Sequence, residues 1–219
     1  MVFAAYYLPG YLFQPQHAIG GDLFNSLSFN LAYMAQVAPK VLLLLYLILR
    51  NVGDSLGEKL ADYGLVRITP ASLVRALFAF IAIYLALVPI LFGISRLAAD
   101  LPPFLVDRVH WRLTNTPLLP VVLLTCALTG YSEELFFRAY LLTVLQDFGL
   151  RPGLAVAAST LLFALGHLYE GLAGFLGTVV IGIVLSLLFL RKRDLHSIAL
   201  AHGLYNFTAL LLTQLPVPF

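Results

Sequence analysis

Residues 130–138 read Gly-Tyr-Ser-Glu-Glu-Leu-Phe-Phe-Arg and lie within a long apolar stretch of the chain. An ionised carboxylate at bilayer depth costs about 3 kcal/mol or more, so acidic residues in membrane helices usually face a protein cavity and take part in function. The adjacent carboxylates of Glu133 and Glu134 therefore predict a membrane helix that lines such a cavity.

The composition of the chain is that of a multi-pass membrane protein. Of its 219 residues, 61% are hydrophobic and 11% are charged, whereas about a quarter of the residues in a soluble domain are charged. We therefore predict an all-α bundle of about six transmembrane helices around an intramembrane cavity. The net charge of +2 gives no argument for a nucleic-acid partner, and the single cysteine, Cys126, allows no internal disulfide bond.

Apolar runs divide the chain into predicted spans. These are residues 27–49, 72–97, 117–147, 152–168, 171–190 and 195–213. At 1.5 Å per residue the third would be ~46 Å long, so it must tilt, kink or protrude from a hydrocarbon core of ~30 Å. Residues 1–26 are aromatic but interrupted by proline and glycine, which favours an interfacial or re-entrant segment. We thus distinguish an N-terminal membrane region (1–116), a helical core (117–213) and a short tail (214–219).

Basic residues in the loops predict the orientation, because cytoplasmic loops are richer in lysine and arginine. The side predicted to be cytoplasmic carries Arg50, Lys59, Arg67, Arg75, Arg151, Arg191, Lys192 and Arg193, and the other side carries Arg96, Arg108 and Arg112. We interpret residues 191–194 as a plain topogenic loop. No basic start of a signal peptide precedes the spans, so we expect the spans themselves to direct insertion, into a prokaryotic plasma membrane.

The acidic pair offers two distinct roles. Glu134 and Arg138 are four residues apart, so they share a helix face and can form an ion pair. Glu133 has no such partner in its own helix, so its pKa should rise by desolvation or be held down by a group on another helix. A carboxylate of this kind suits a general base. Alternatively, all three side chains form a structural ion-pair cluster.

Two histidines lie in later predicted spans. His167 could act on a substrate or could merely pack, and Glu170 could orient it or be solvated at the membrane edge. His202 and Asn206 are four residues apart on one helix face and could both donate hydrogen bonds to an oxyanion. They could equally form a polar clamp between helices.

Two chemistries fit these groups. Glu133 and His167 could activate a water molecule while His202 and Asn206 stabilise the tetrahedral intermediate of peptide hydrolysis. Alternatively, Glu133, His167 and His202 could hold a divalent metal such as zinc. The chain has no His-Glu-x-x-His pattern of zinc proteases and no Gly-x-Ser-x-Gly serine elbow.

In this region the sequence resembles the CPBP family of membrane proteases, which includes CAAX prenyl proteases and bacterial abortive-infection relatives. The resemblance rests on three ordered motifs: Glu133-Glu134 with Arg138, Phe163 with His167, and His202 with Asn206. It implies an intramembrane endopeptidase in which Glu133 and His167 activate water, His202 and Asn206 form the oxyanion hole, and Glu134 and Arg138 support them. Relatives have been described as metalloproteases, but we favour a glutamate-activated water without a metal.

The substrate is then a protein or peptide at the lipid bilayer, cleaved near its C-terminus or its membrane-proximal part, and the sequence leaves open whether it is lipidated. Two other functions compete with the protease. Intramembrane carboxylates and histidines also bind ions in proton- or metal-coupled transporters. A protease-like protein without activity could serve as a scaffold or immunity factor, although every motif residue is present.

Overall fold

The computed structural model describes residues 21–50, 56–97 and 111–212, and no β-strand occurs in these ranges. The α-helices are α1 (Leu27–Leu49), α2 (Leu56–Asp62), α3 (Pro70–Leu97), α4 (Leu119–Glu134), α5 (Thr143–Asp147), α6 (Pro152–Leu165), α7 (Gly171–Lys192) and α8 (Leu195–Leu212). A π-helical segment, Leu135–Leu142, joins α4 to α5. Short 3-10 turns cover Leu23–Asn25, Thr116–Leu118 and Leu168–Glu170.

Five helical stretches are long and apolar enough to cross a membrane, which confirms the predicted polytopic all-α bundle. They are Leu27–Leu49, Pro70–Leu97, Thr116–Asp147, Leu168–Lys192 and Leu195–Leu212. The remaining predicted span, residues 152–168, is the shorter helix α6 of 14 residues, or ~21 Å. It ends early because His167 leaves helical geometry and Gly171 has a φ of 81°, which reverses the chain into α7.

The long third span is not a regular α-helix. Its predicted excess length coincides with the π segment Leu135–Leu142, where each backbone N–H reaches one residue further back than in an α-helix. Such segments are a recognised cause of helix kinks and occur often at functional sites.

Helices α4 and α8 touch backbone to backbone. A Cβ atom added to Gly130 would lie 2.7 Å from the Ala199 carbonyl oxygen, and one added to Gly203 would lie 2.7 Å from the Cα of Ala127. Small residues permit such close helix crossings in membrane bundles. This crossing lies within one turn of Glu133 and of His202, so it sets the distance between the groups on the two helices.

The predicted topogenic loop also has a structural role. Arg193, which closes α7 with a φ of 45°, donates hydrogen bonds to the Asp62 carbonyl, to Thr143 Oγ1 at 2.7 Å and to Gln146 Oε1 at 2.6 Å. The next residue, Asp194, is buried and accepts a 2.6 Å ion-pair bond from Arg75. The loop therefore joins α2, α3, α5 and α7 at one end of the bundle, while its topogenic role stays a prediction.

Cys126 is buried in a cluster with Leu113, Val122 and Leu210, which confirms that it packs as a small apolar residue. Residues 1–20, Arg108 and the tail 214–219 lie outside the described residues. The division into two membrane regions and a tail stays a prediction.

Candidate active site

A cavity of about 380 Å³ lies between the helices, and the four residues assigned to catalysis all line it. Glu133 comes from α4, His167 from the break after α6, and His202 and Asn206 from α8. Most of the remaining wall is apolar or aromatic, and includes Phe24, Phe29, Tyr33, Leu87, Leu91, Trp111, Phe163, Ile181 and Tyr205. Residues more than thirty positions apart in the sequence thus share one largely apolar pocket.

Glu133 is the carboxylate that faces the cavity. Its side chain is 19% exposed, and its Oε2 lies 3.6 Å from Nε2 of His202. That separation exceeds a normal hydrogen bond of 2.7–3.2 Å. The neighbouring imidazole comes from another helix, α8.

Glu134, one residue further on, is fully buried and is bound from two sides. Its Oε1 accepts a 2.7 Å hydrogen bond from Arg138, which confirms the predicted ion pair, and a second 2.7 Å hydrogen bond from Nδ1 of His202. A carboxylate only accepts hydrogen bonds, so Nδ1 of His202 carries a proton. The Nε2 atom of the same ring then faces Glu133. Sequence reasoning missed this second bond because it joins residues 68 positions apart.

Phe163 holds the charged and imidazole groups in place from α6. Its ring is 1% exposed and lies 4.4 Å from the guanidinium carbon of Arg138, a cation–π geometry. The same ring packs edge-on against His167 at 4.9 Å and against His202 at 5.7 Å. The motif phenylalanine therefore fixes the orientation of both histidines.

The hydrogen bonding of His167 defines which of its ring nitrogens can accept a hydrogen bond in the cavity. Its Nδ1 lies 3.0 Å from the carbonyl oxygen of Phe163. A carbonyl oxygen cannot donate, so Nδ1 carries the proton and Nε2 of the neutral ring holds a lone pair. A lone pair on Nε2 can accept a hydrogen bond from a water molecule.

Sequence reasoning missed Tyr169 and left Glu170 unassigned, yet both line the cavity. Glu170 is half-buried and lines the cavity, and the choice between orienting His167 and solvation at the membrane edge stays a prediction. Its spacing from His167, with glycines at positions 171 and 174, was the available signal.

The described wall of the cavity is acidic. It contains the carboxylates of Glu133 and Glu170 and the imidazoles of His167 and His202, and its described part includes neither lysine nor arginine. Within residues 21–50, 56–97 and 111–212, no three His, Cys, Asp or Glu side chains are grouped so that they could hold a metal ion. The alternative ligand set of Glu133, His167 and His202 does not fit a metal in this arrangement.

Comparison with known proteins gives one family match. The family model described as type II CAAX prenyl endopeptidase Rce1-like matches residues 115–208. This range begins just before α4 and contains every residue of the three motifs. No curated protein and no solved structure matches the chain.

Proposed function

We propose that this chain, whose residues 115–208 match the type II CAAX prenyl endopeptidase Rce1-like family model, is a glutamate-dependent intramembrane endopeptidase of the CPBP family. One observation carries the proposal: Glu133, His167, His202 and Asn206, from separate parts of a protease-family sequence, line one cavity. The reaction is hydrolysis of a peptide bond near the C-terminus or the membrane-proximal part of a protein substrate.

In the proposed reaction, water is the nucleophile and Glu133 is the general base. The carboxylate accepts a proton from the water, while Nε2 of His167 accepts a second hydrogen bond and orients it. The water oxygen attacks the carbonyl carbon of the scissile bond. When the tetrahedral intermediate collapses, protonated Glu133 returns its proton to the leaving amine, so the carboxylate is regenerated.

The oxyanion of that intermediate requires hydrogen-bond donors. Asn206 can supply an amide N–H, and His202 can supply Nε2–H when its ring is an imidazolium. Because Glu134 accepts from Nδ1 of His202 at 2.7 Å, the ring is held with Nε2 towards Glu133. Glu134 and Arg138 are thus positioning residues that act through His202.

We propose that no metal takes part, because within the described residues Glu133, His167 and His202 are not grouped as ligands of one ion. Exhaustive chelation of the purified protein should leave its peptidase activity unchanged. If chelation abolishes activity and zinc restores it, the metal-free mechanism is wrong.

The direct test is cleavage of a membrane-peptide library by detergent-purified protein, with Glu133→Gln beside the wild type. The substitution keeps the shape of the side chain but removes the base, so cleavage should fall by about 10²–10⁴-fold. Asp147→Asn, which removes one exposed carboxylate, is the matched control and should cleave normally.

Equal cleavage by wild type and Glu133→Gln would refute Glu133 as the base. A chain that cleaves nothing but carries protons or metal ions across vesicle membranes would instead be a transporter.

A further inference from the structure

Glu170 is a second carboxylate of the cavity, and the proposed reaction does not use it. It ends the 3-10 turn Leu168–Glu170, three residues after His167, and lines the same cavity as Glu133. An acidic side chain in a largely apolar membrane protein costs free energy unless it is paired or binds something.

A role in holding His167 does not account for Glu170. The Nδ1–H of His167 is already donated to the Phe163 carbonyl at 3.0 Å, so that bond, and not Glu170, sets the tautomer. A carboxylate has about four acceptor positions, so the Glu170 side chain can accept hydrogen bonds from a ligand.

The first turn of α7 is shaped around this side chain. A Cβ atom added to Gly174 would overlap the Cβ of Glu170 and lie 2.9 Å from its Oε2. The Glu170 carboxylate therefore lies across α7 at Gly174, because only a glycine leaves room for it there. Gly177, one turn further along and also at the cavity, has only an ordinary 3.5 Å contact with Leu87 at the same atom.

The charge of the cavity indicates the ligand. Glu133 and Glu170 both line it, and the described lining contributes no lysine or arginine to balance them. A cationic group entering this apolar pocket would be attracted by both carboxylates, since weak screening strengthens charge interactions there. A carboxylate entering it would meet no fixed cation in the described wall.

We propose that Glu170 is a specificity-determining residue that binds a cationic group of the substrate, a lysine or arginine side chain close to the scissile bond. This inference rests on the proposed function, because it places the recognised residue next to the bond that Glu133 hydrolyses. The enzyme would then prefer peptides with a basic residue near the cleavage site over apolar or acidic ones.

The test measures binding, so that it does not depend on turnover. The probes are fluorescent apolar peptides in which lysine, norleucine or glutamate stands at each position in turn. They are titrated into full-length Glu133→Gln protein in detergent. At one position lysine should bind about tenfold tighter than norleucine, as expected for a charge-assisted hydrogen bond, and glutamate should bind more weakly than either.

Adding Glu170→Gln should abolish the lysine preference without changing the affinity for the norleucine peptide. Gly174→Ala, which displaces the carboxylate but keeps its charge, should weaken the preference, whereas Gly177→Ala and Asp147→Asn should retain it. A lysine preference that persists in Glu170→Gln, or one absent from the parent protein, overturns the inference.

Cleavage assays on protein that retains Glu133 distinguish failure of this inference from failure of the proposed function. If Glu133 is required for cleavage but Glu170→Gln cleaves basic and apolar peptides in the parent ratio, the protease stands and the specificity role fails. If Glu170 controls lysine binding but no peptide is cleaved, cation recognition stands and the protease fails.

Discussion

The two faces of helix α4 carry the same kind of side chain in opposite surroundings. Glu133 faces the cavity, is 19% exposed and has Nε2 of His202 at 3.6 Å from its Oε2. Glu134 faces the interior, is fully buried and accepts two 2.7 Å hydrogen bonds, from Arg138 and His202. Adjacent residues of one type thus differ because one face of the helix packs against donors and the other faces a cavity.

One imidazole ring connects the two faces. His202 donates Nδ1–H to Glu134 and turns Nε2 towards Glu133. A buried carboxylate held by two donors stabilises a defined geometry, whereas one that faces a cavity can take a proton from water. The difference predicts that substitutions on the interior face affect folding and those on the cavity face affect only the reaction.

The largest effect should follow Arg138→Met on the interior face. It leaves the buried Glu134 carboxylate without its cation, which should lower the free energy of unfolding by about 3–5 kcal/mol. Denaturant unfolding in detergent measures the loss. The double variant Arg138→Met, Glu134→Leu removes both charges and should recover most of it. If the single variant is as stable as wild type, Glu134 does not depend on Arg138 and the contrast between the faces fails.

On the cavity face, Asn206→Ala should change the reaction and leave stability intact. Loss of one oxyanion donor should lower kcat by about 10²–10³-fold while KM changes little. Steady-state kinetics and unfolding midpoints should therefore separate this variant from Arg138→Met. An unchanged kcat would remove Asn206 from the proposed oxyanion hole.

A substitution at the glycine crossing of α4 and α8 should cause a smaller loss of stability. In Gly203→Ala the new methyl group meets the backbone of Ala127 at 2.7 Å, and such overpacking costs about 1–3 kcal/mol. Activity should also fall, because α8 carries both His202 and Asn206. Gly93→Ala, where nothing lies within 4 Å of the added atom, is the control and should stabilise α3 by about 0.5–1 kcal/mol. If both substitutions behave alike, the crossing is not close packed.

The smallest effect concerns Asp194, in the loop between α7 and α8. Burial alone would raise the pKa of Asp194, but hydrogen bonds from Arg75, Ser197 and Ser72 outweigh it and hold the pKa below its usual value. A lowered native pKa stabilises the fold above the unfolded value of about 3.9, and this stabilisation is lost as the pH falls through the native pKa. Asp194→Asn should flatten the acid limb of the stability profile. An unchanged acid limb would contradict the ion pair with Arg75.

Much of the fold could be predicted from hydrophobic runs, because a bilayer requires long apolar helices whatever their partners. The ion pair of Glu134 and Arg138 could be predicted because it lies within one helix. The bond between Glu134 and His202 could not, since only tertiary packing brings α4 and α8 together. The place of Glu170 at the cavity could not be predicted, because it depends on the turn that follows the end of α6 at Leu165. The π segment leaves no mark in the hydrophobic pattern.

That π segment sets the relative rotation of the two ends of the third span. Glu133 precedes it at the cavity, and Thr143, which accepts the Arg193 hydrogen bond at the end of the bundle, follows it. Each residue of a helix turns the next by about 100°. Removing any one residue between Leu135 and Leu142 would therefore rotate Thr143 away from Arg193 or the carboxylates away from His202. In this stretch the number of residues is under as tight a constraint as their identity.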